Sequence, residues 1–486
     1  MGLALINALN RLLGALQKLS IFSLGLLGSD VYAQPMAPAR DTVTPRLAMS
    51  YDLGSPVQAL PSKQPLVNNA ASRSPAGLLQ LTASAVSNQP TLRAAAARVR
   101  VDQERAEQAR GAMRLSLSGT LAYQQEFERA GTTIPFRNQA AGIQGTFPLY
   151  RPQASANIDV ARFQFESSRA QNLETENDLL AAVVAGYFGA VQLATESSTL
   201  RAERELLLAQ RSINERRMQG GIGTLVEVLE TAARADLLAG QVRGAEGAEK
   251  LQLAELSRLA VMPVAAVRAM KDEQPVLVVP RAAQAAIDSA RSGSATLLRL
   301  RKALDSARAN VGAQQNAHLP NVDLVANVDR SQSQSLGTSS QSPSAGLGVR
   351  MSVPLYSGGI TKSRVHEAQA QVDRAEAELQ DAENTLQSEI VKAYADLERA
   401  QAQLAANVAA LAIAQSALDA TEKAFSAGVR SNIDVLNSQQ QTFASRREAA
   451  RSRVGIQLAQ TRILSLMGAL NPESIAGLAR SLGEVN

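Results

Sequence analysis

Four segments of the chain alternate apolar and polar residues with a period of two. Leu115, Leu117, Leu121 and Tyr123 oppose Ser116, Ser118, Thr120 and Gln124, and Ala141, Ile143, Phe147 and Leu149 oppose Gly142, Gln144, Thr146 and Pro148. Further on, Val322, Leu324, Ala326 and Val328 oppose Asp323, Asn327 and Asp329, with Val325 as an exception. In the last segment Leu347, Val349, Met351, Val353 and Leu355 oppose Gly348, Arg350, Ser352 and Pro354. This pattern predicts strands with one apolar and one polar face. At about ten residues each they match a tilted membrane strand, although a soluble hairpin packed on a core has the same pattern. Polar stretches rich in glycine or serine, residues 129–138 and 331–344, predict the loops within each pair.

Between and after the strands the periodicity becomes helical. No proline interrupts residues 153–262 or 355–471, and within each run the strong break signal is a glycine turn. Residues 154–218 and 360–426 therefore predict helices of about 65 residues, roughly 100 Å long. Rods of that length must be buried laterally against neighbours. Further helical sequence covers residues 75–113, and Gly240, Gly244 and Gly247 predict a close helix approach.

The turns are chemically explicit. Gly221 and Gly428 suit the left-handed residue that ends a helix. Thr224 and Ser431 suit N-caps, with Glu227 and Asp434 three residues on, as in a capping box. The two turns are also copies of one another. Phe147-Pro148-Leu149-Tyr150 returns as Val353-Pro354-Leu355-Tyr356, 206 residues on, and Gly221 to Leu229 returns as Gly428 to Leu436, 207 residues on. The organisation follows from this duplication: a first repeat over 75–262, a linker over 263–285, a second repeat over 286–470 and a tail over 471–486. The linker and the tail are expected to wrap the outside of the helical body.

Composition narrows the classes. The 486 residues include no cysteine, which removes disulfides, thiolate metal sites, cysteine nucleophiles and lipid attachment at a mature N-terminal cysteine. The net charge is +5, and basic residues alternate with acids, as in Arg201-Ala202-Glu203-Arg204-Glu205. Such stretches predict solvated helix faces rather than a nucleic-acid surface. Arg11, Lys18, the apolar run 19–27 and Val31-Tyr32-Ala33 predict an export signal over residues 1–33, followed by an irregular extension over 34–74. No other segment is read as a spanning helix, so a membrane crossing requires a closed β-barrel. Four strands cannot close one, so several chains must contribute. His318 and His366 stand apart from any metal-ligand spacing, and no phosphate loop, nucleophile elbow or catalytic carboxylate pair is present. We expect neither an enzyme nor a cofactor.

The duplicated strand ends, Ser357-Gly358-Gly359, residues 425–436 and their counterpart at 218–230 together resemble the TolC family of outer membrane channels, over residues 75–470. The resemblance implies a mainly α fold with a membrane β-barrel. Three subunits would each give four strands to a shared 12-stranded barrel in outer membrane lipid, and their helices to a periplasmic α-barrel. It also implies partners: a periplasmic adaptor and an inner-membrane ABC transporter or proton-driven pump. The helix tips would close the periplasmic entrance and open by an iris-like shift. Asp434 and Asn437 match the aperture ring, although Asn437 replaces an acid found in some relatives. Arg430, Glu227 and Phe425 match the latch. Phenylalanine cannot make the hydrogen bond of a tyrosine, which leaves Arg430–Glu227 as the better pair. Helix capping alone also accounts for Glu227 and Asp434. The cargo is a secreted protein or small toxic compounds, and the missing lipid-bearing cysteine leans toward type I secretion, with multidrug efflux the alternative. A soluble periplasmic coiled-coil adaptor would share the helices but not the four alternating strands.

Overall fold

A computed structural model describes residues 75–130, 132–270, 278–335 and 338–482. The expected export signal and extension, residues 271–277 of the linker and the last four residues of the tail lie outside these. The duplication is visible as two passes through one order of elements. The first pass is α1 (Leu78–Asn88), α2 (Pro90–Gly111), β1 (Ser116–Ala130), β2 (Thr132–Tyr150), α3 (Pro152–Gln219) and α4 (Leu225–Ala260). The second is α5 (Ala283–Gly293), α6 (Ala295–Gln315), β3 (Asn321–Ser335), β4 (Thr338–Ser352), α7 (Ile360–Ser426) and α8 (Asn432–Leu466), and α9 (Pro472–Ala479) follows.

The single helix expected over 75–113 is in fact two. Gln89 is extended at φ −65° and ψ 124°, because Pro90 disfavours a helical residue before it and then starts α2 well. Ser294 makes the same break in the second pass, at φ −65° and ψ 119°, and caps α6 through its side chain.

The sheet is antiparallel in the order β1-β2-β3-β4. Pairing runs without interruption from Ser116–Thr146 to Ala130–Thr132 and from Asn321–Ser352 to Ser335–Thr338. The stretches expected as loops are therefore mostly strand, and the strands have 15, 19, 15 and 15 residues. Strand pairing engages the backbone, so polar side chains beyond the apolar segment do not end it. At the other end β4 stops at Ser352, so Val353 and Leu355 are not strand residues. Pro354, which follows, has no N–H to give a ladder.

One sheet face carries cross-strand rows such as Leu117–Gly145–Ala326–Leu347. Its large residues are open: Leu121 is 89% exposed and Leu347 75%. A register shift between Pro148 and Tyr150 places Tyr150 opposite Val322, on this same apolar side. The other face carries Thr120, Gln144, Asn327, Asp329 and Val325. There Gly142 leaves room for the Asp329 carboxylate, which a Cβ at 142 would displace. At the root of the sheet the Arg151 guanidinium donates to both Asp323 oxygens at 2.7 and 2.9 Å, tying α3 to β3.

The helices α3 and α7, of 68 and 67 residues, are the backbone of the molecule. The N-terminal half of α3 lies against α2 and α6, and its C-terminal half against α4, with α8 alongside. The main core forms where these elements meet. It is built from Leu78 and Leu81 of α1, Tyr187 and Phe188 of α3, Ile390 of α7 and Ile463 of α8. Linker and tail close over it: Val278 N–H donates to Gln460 Oε1 at 2.7 Å, Tyr394 donates to the Pro280 carbonyl at 2.8 Å, and Ile475 and Leu478 of α9 are buried.

Two expectations about the helices need correction. Among the described residues nothing lies within 4 Å of a Cβ built on Gly240, Gly244 or Gly247, so these glycines mediate no close approach among them. In addition, α3 and α7 each contain an 18-residue window apolar enough to cross a membrane. In α3 half of that window is packed inside the fold, whereas in α7 most of it is open. In α3 the apolar face, with Leu179, Leu180, Val183, Val184 and Phe188, is used for packing.

Candidate functional site

The two glycine turns form the tips of helical hairpins α3–α4 and α7–α8. Gly221 and Gly428 have φ of 72° and 78°, the left-handed conformation that side chains resist. Their turns are closed by backbone bonds from Ile222 to Arg217 O (3.0 Å) and from Val429 to Ala424 O (2.9 Å). Each following helix opens with a full capping box. Glu227 N–H donates to Thr224 Oγ1 while Thr224 N–H donates to Glu227 Oε2, and Ser431 and Asp434 repeat the arrangement.

This geometry distributes the candidate latch and ring residues as follows. Arg430 Nη1 lies 3.9 Å from Asp434 Oδ2, and no ion pair joins it to Glu227 within the described protomer. Glu227 is occupied by its cap. Asp434 accepts from the Ser431 N–H and hydroxyl at 3.0 and 2.9 Å. These bonds, backbone first, and then the Arg430 charge hold its carboxyl below the usual range. It therefore stays ionised well below neutral pH. Its capping contribution is present above the unfolded carboxyl value and is lost as pH falls through the lowered one. Phe425 lies under the Arg217 guanidinium, 4.7 Å from ring centroid to cation, so the two tips touch through a cation–π contact. Asn437 accepts from Arg234 Nη2 at 2.9 Å, and Arg234 also pairs with Glu230 at 3.2 Å.

Behind the tips runs a polar seam that the sequence did not reveal. Gln210 Nε2 donates to Asn432 Oδ1 at 3.2 Å, Asn214 Nδ2 donates to Thr231 Oγ1 at 3.0 Å, and Arg447 pairs with Glu203 at 2.6 Å. Glu203 was read among solvated charges, yet its side chain is 8% exposed. Arg201, two positions away, behaves as expected and pairs across to Glu246 at 2.8 Å. Only the helical phase of Glu203 relative to Leu200 and Leu207, both buried, signals its inward direction. A cleft of about 260 Å³ opens along the seam between Glu203, Leu207, Arg234, Leu436, Gln439 and Arg447. Gln439 Oε1 and Arg234 Nη1 are buried there without a hydrogen-bond partner among the described residues. The junction between the hairpins is thus held by a few polar contacts over a small apolar cluster of Leu200, Leu207, Leu238 and Leu436. Such a junction can part at lower cost than the main core.

The comparisons agree with this architecture. The alkaline protease secretion protein AprF of Pseudomonas aeruginosa is 26% identical over 330 residues, 67% of each chain. The outer membrane protein TolC of Escherichia coli is 24% identical over 424 residues, 84% of this chain and 85% of that one. Among solved structures, the CmeC outer membrane channel of Campylobacter jejuni superposes with a TM-score of 0.71 at 14% identity, covering 84% of this chain and 90% of its own. The family model described as outer membrane efflux protein matches residues 81–260 and 286–469, the two repeats found above. The chain belongs to the outer membrane efflux protein family of outer membrane export channels.

Proposed function

We propose that three copies of this chain form the passive outer membrane exit duct of a tripartite machine, and that the machine serves type I protein secretion. The observation that carries the trimer is the open sheet. Strands β1 and β4 are edges with unpaired backbone groups, a state that lipid does not tolerate. The apolar sheet face and the uncovered apolar window of α7 add to the need for further copies. Pairing β4 of one copy with β1 of the next would close twelve strands. The helical hairpins would then surround the periplasmic conduit and meet a periplasmic adaptor and an inner-membrane ABC transporter. The protease-secretion relative supports a protein cargo. The family description supports the second reading, small-molecule efflux with a proton-driven pump.

Gene deletion separates the two. Secretion of one specific protein is expected to cease, whereas unchanged secretion with new drug sensitivity would replace the first reading by the second. The tips close the duct in this account, with Asp434 and Asn437 at the aperture and Arg430, Glu227 and Phe425 restraining it. Arg430→Ala and Glu227→Ala are expected to raise single-channel conductance modestly. Any pair that these residues form with a neighbouring copy would be exposed and worth up to about 1 kcal/mol, which limits the change in the closed-to-open ratio to roughly fivefold. Wild-type conductance in both variants would assign these residues to the turn alone.

A further inference from the structure

We propose that Arg330, on the apolar face of the sheet, binds the phosphate of a phosphorylated lipid in the outer leaflet. This rests on the membrane reading of that face. The registers place Leu121, Ala141, Arg330 and Pro343 in one row, with Tyr123, Gln139, Gln332 and Gln341 in the next row toward the hairpin ends. Below the Arg330 row the same face is apolar through Val328, Ala326, Leu324 and Val322, down to Tyr150. The eight steps from Val322 to Arg330 span roughly 26 Å along a strand, or roughly 20 Å of height at the tilt of a membrane strand, so Arg330 stands in the outer part of an apolar band about 25 Å tall. Tyr123, one row further, and Tyr150 at the base fit the two aromatic girdles of such a band.

Arg330 is exposed, and among residues with described side chains it is the only charged one on this face. Its neighbour Asp329 points to the opposite face and accepts from Asn327. The guanidinium donates through Nη2 to Gln341 Oε1 at 2.8 Å, which fixes its direction, and no carboxylate among the described residues pairs with it. It lines a groove of about 530 Å³ with Leu121, Tyr123, Gln139, Ala141 and Gln332. The groove has apolar walls toward the band and amide donors with a cation toward the headgroups. That arrangement suits a lipid whose acyl chains lie below its phosphate. A guanidinium facing lipid is tolerated where it reaches headgroups or an anion, and its planar donor fork matches phosphate.

The experiment uses purified full-length protein in nanodiscs, with retention of bisphosphorylated lipid A measured by native mass spectrometry. Wild type should retain it, and Arg330→Gln should lower retention about tenfold, the effect of losing roughly 1.4 kcal/mol. Gln341→Ala, which keeps the cation, should retain it. Equal retention by Arg330→Gln, or equal retention of dephosphorylated lipid A by wild type, would overturn the proposal. Displacement by inorganic phosphate at the same concentration would show an anion site rather than a lipid site, and would also overturn it. If the wild-type protein fails to enter nanodiscs at all, the membrane reading itself falls, an outcome separate from the others.

Discussion

Replacing Glu203 with alanine is expected to shift the channel strongly toward its open state. The carboxylate bridges α3 to Arg447 of α8 at 2.6 Å, with side-chain exposures of 8% and 24%. In the iris-like opening proposed above, α8 would move away from α3 and this pair would break. Exposed pairs are worth about 0–1 kcal/mol, and removing one partner of a fully buried pair costs about 3–5 kcal/mol. An intermediate value of about 2 kcal/mol corresponds to a roughly 30-fold change in the closed-to-open ratio. Nearby, Gln439 Oε1 and Arg234 Nη1 lack partners among the described residues, so the remaining polar ties across the junction are the neutral or charge–dipole contacts Gln210–Asn432 and Arg234–Asn437. Single-channel recording in planar bilayers checks the expectation. Adding Arg447→Ala to Glu203→Ala should not double the effect, because both changes remove the same contact. Wild-type conductance in Glu203→Ala would remove the seam from the gating account.

The second large effect concerns the stability of the protomer core. Tyr187→Ala should destabilise the protomer by about 3–5 kcal/mol, the usual cost of truncating a buried aromatic ring. Tyr187 is fully buried and stands edge-on to Phe188, with ring centroids 6.1 Å apart. Its hydroxyl donates to the Ala76 carbonyl and accepts from Arg268 N–H, both at 3.2 Å. One side chain thereby joins α3 to the segment before α1 and to the linker after α4, where Ala76 and Val267 form a parallel bridge. Tyr187→Phe keeps the ring and should cost only about 1 kcal/mol per lost hydrogen bond. Thermal unfolding followed by the helical circular dichroism signal distinguishes the two variants. An unchanged midpoint in Tyr187→Ala would mean that the core does not hold the linker in place.

What the sequence disclosed was chiefly local. The left-handed glycines and the capping boxes depend on four or five neighbouring residues, and both appear as read. The lengths of α3 and α7 follow from the absence of proline, and the strand faces from period-two alternation. Other features depend on partners distant in the chain. The strands continue through polar sequence because a neighbouring backbone is in register. The Ser294 break has no proline to announce it. Gly240, Gly244 and Gly247 looked like internal contacts, since spacing shows that a helix can be approached closely but not by which neighbour. Glu203 looked solvated because Arg201 and Glu205 beside it are, and only the fold turns it toward Arg447.

The claim on which the rest depends is that one chain supplies only a part of a wall through lipid. Its most direct test is the mass of the particle extracted from outer membranes, with bound detergent counted separately. Three chains per particle are predicted. A stable single chain with its sheet inserted in the bilayer would contradict the account.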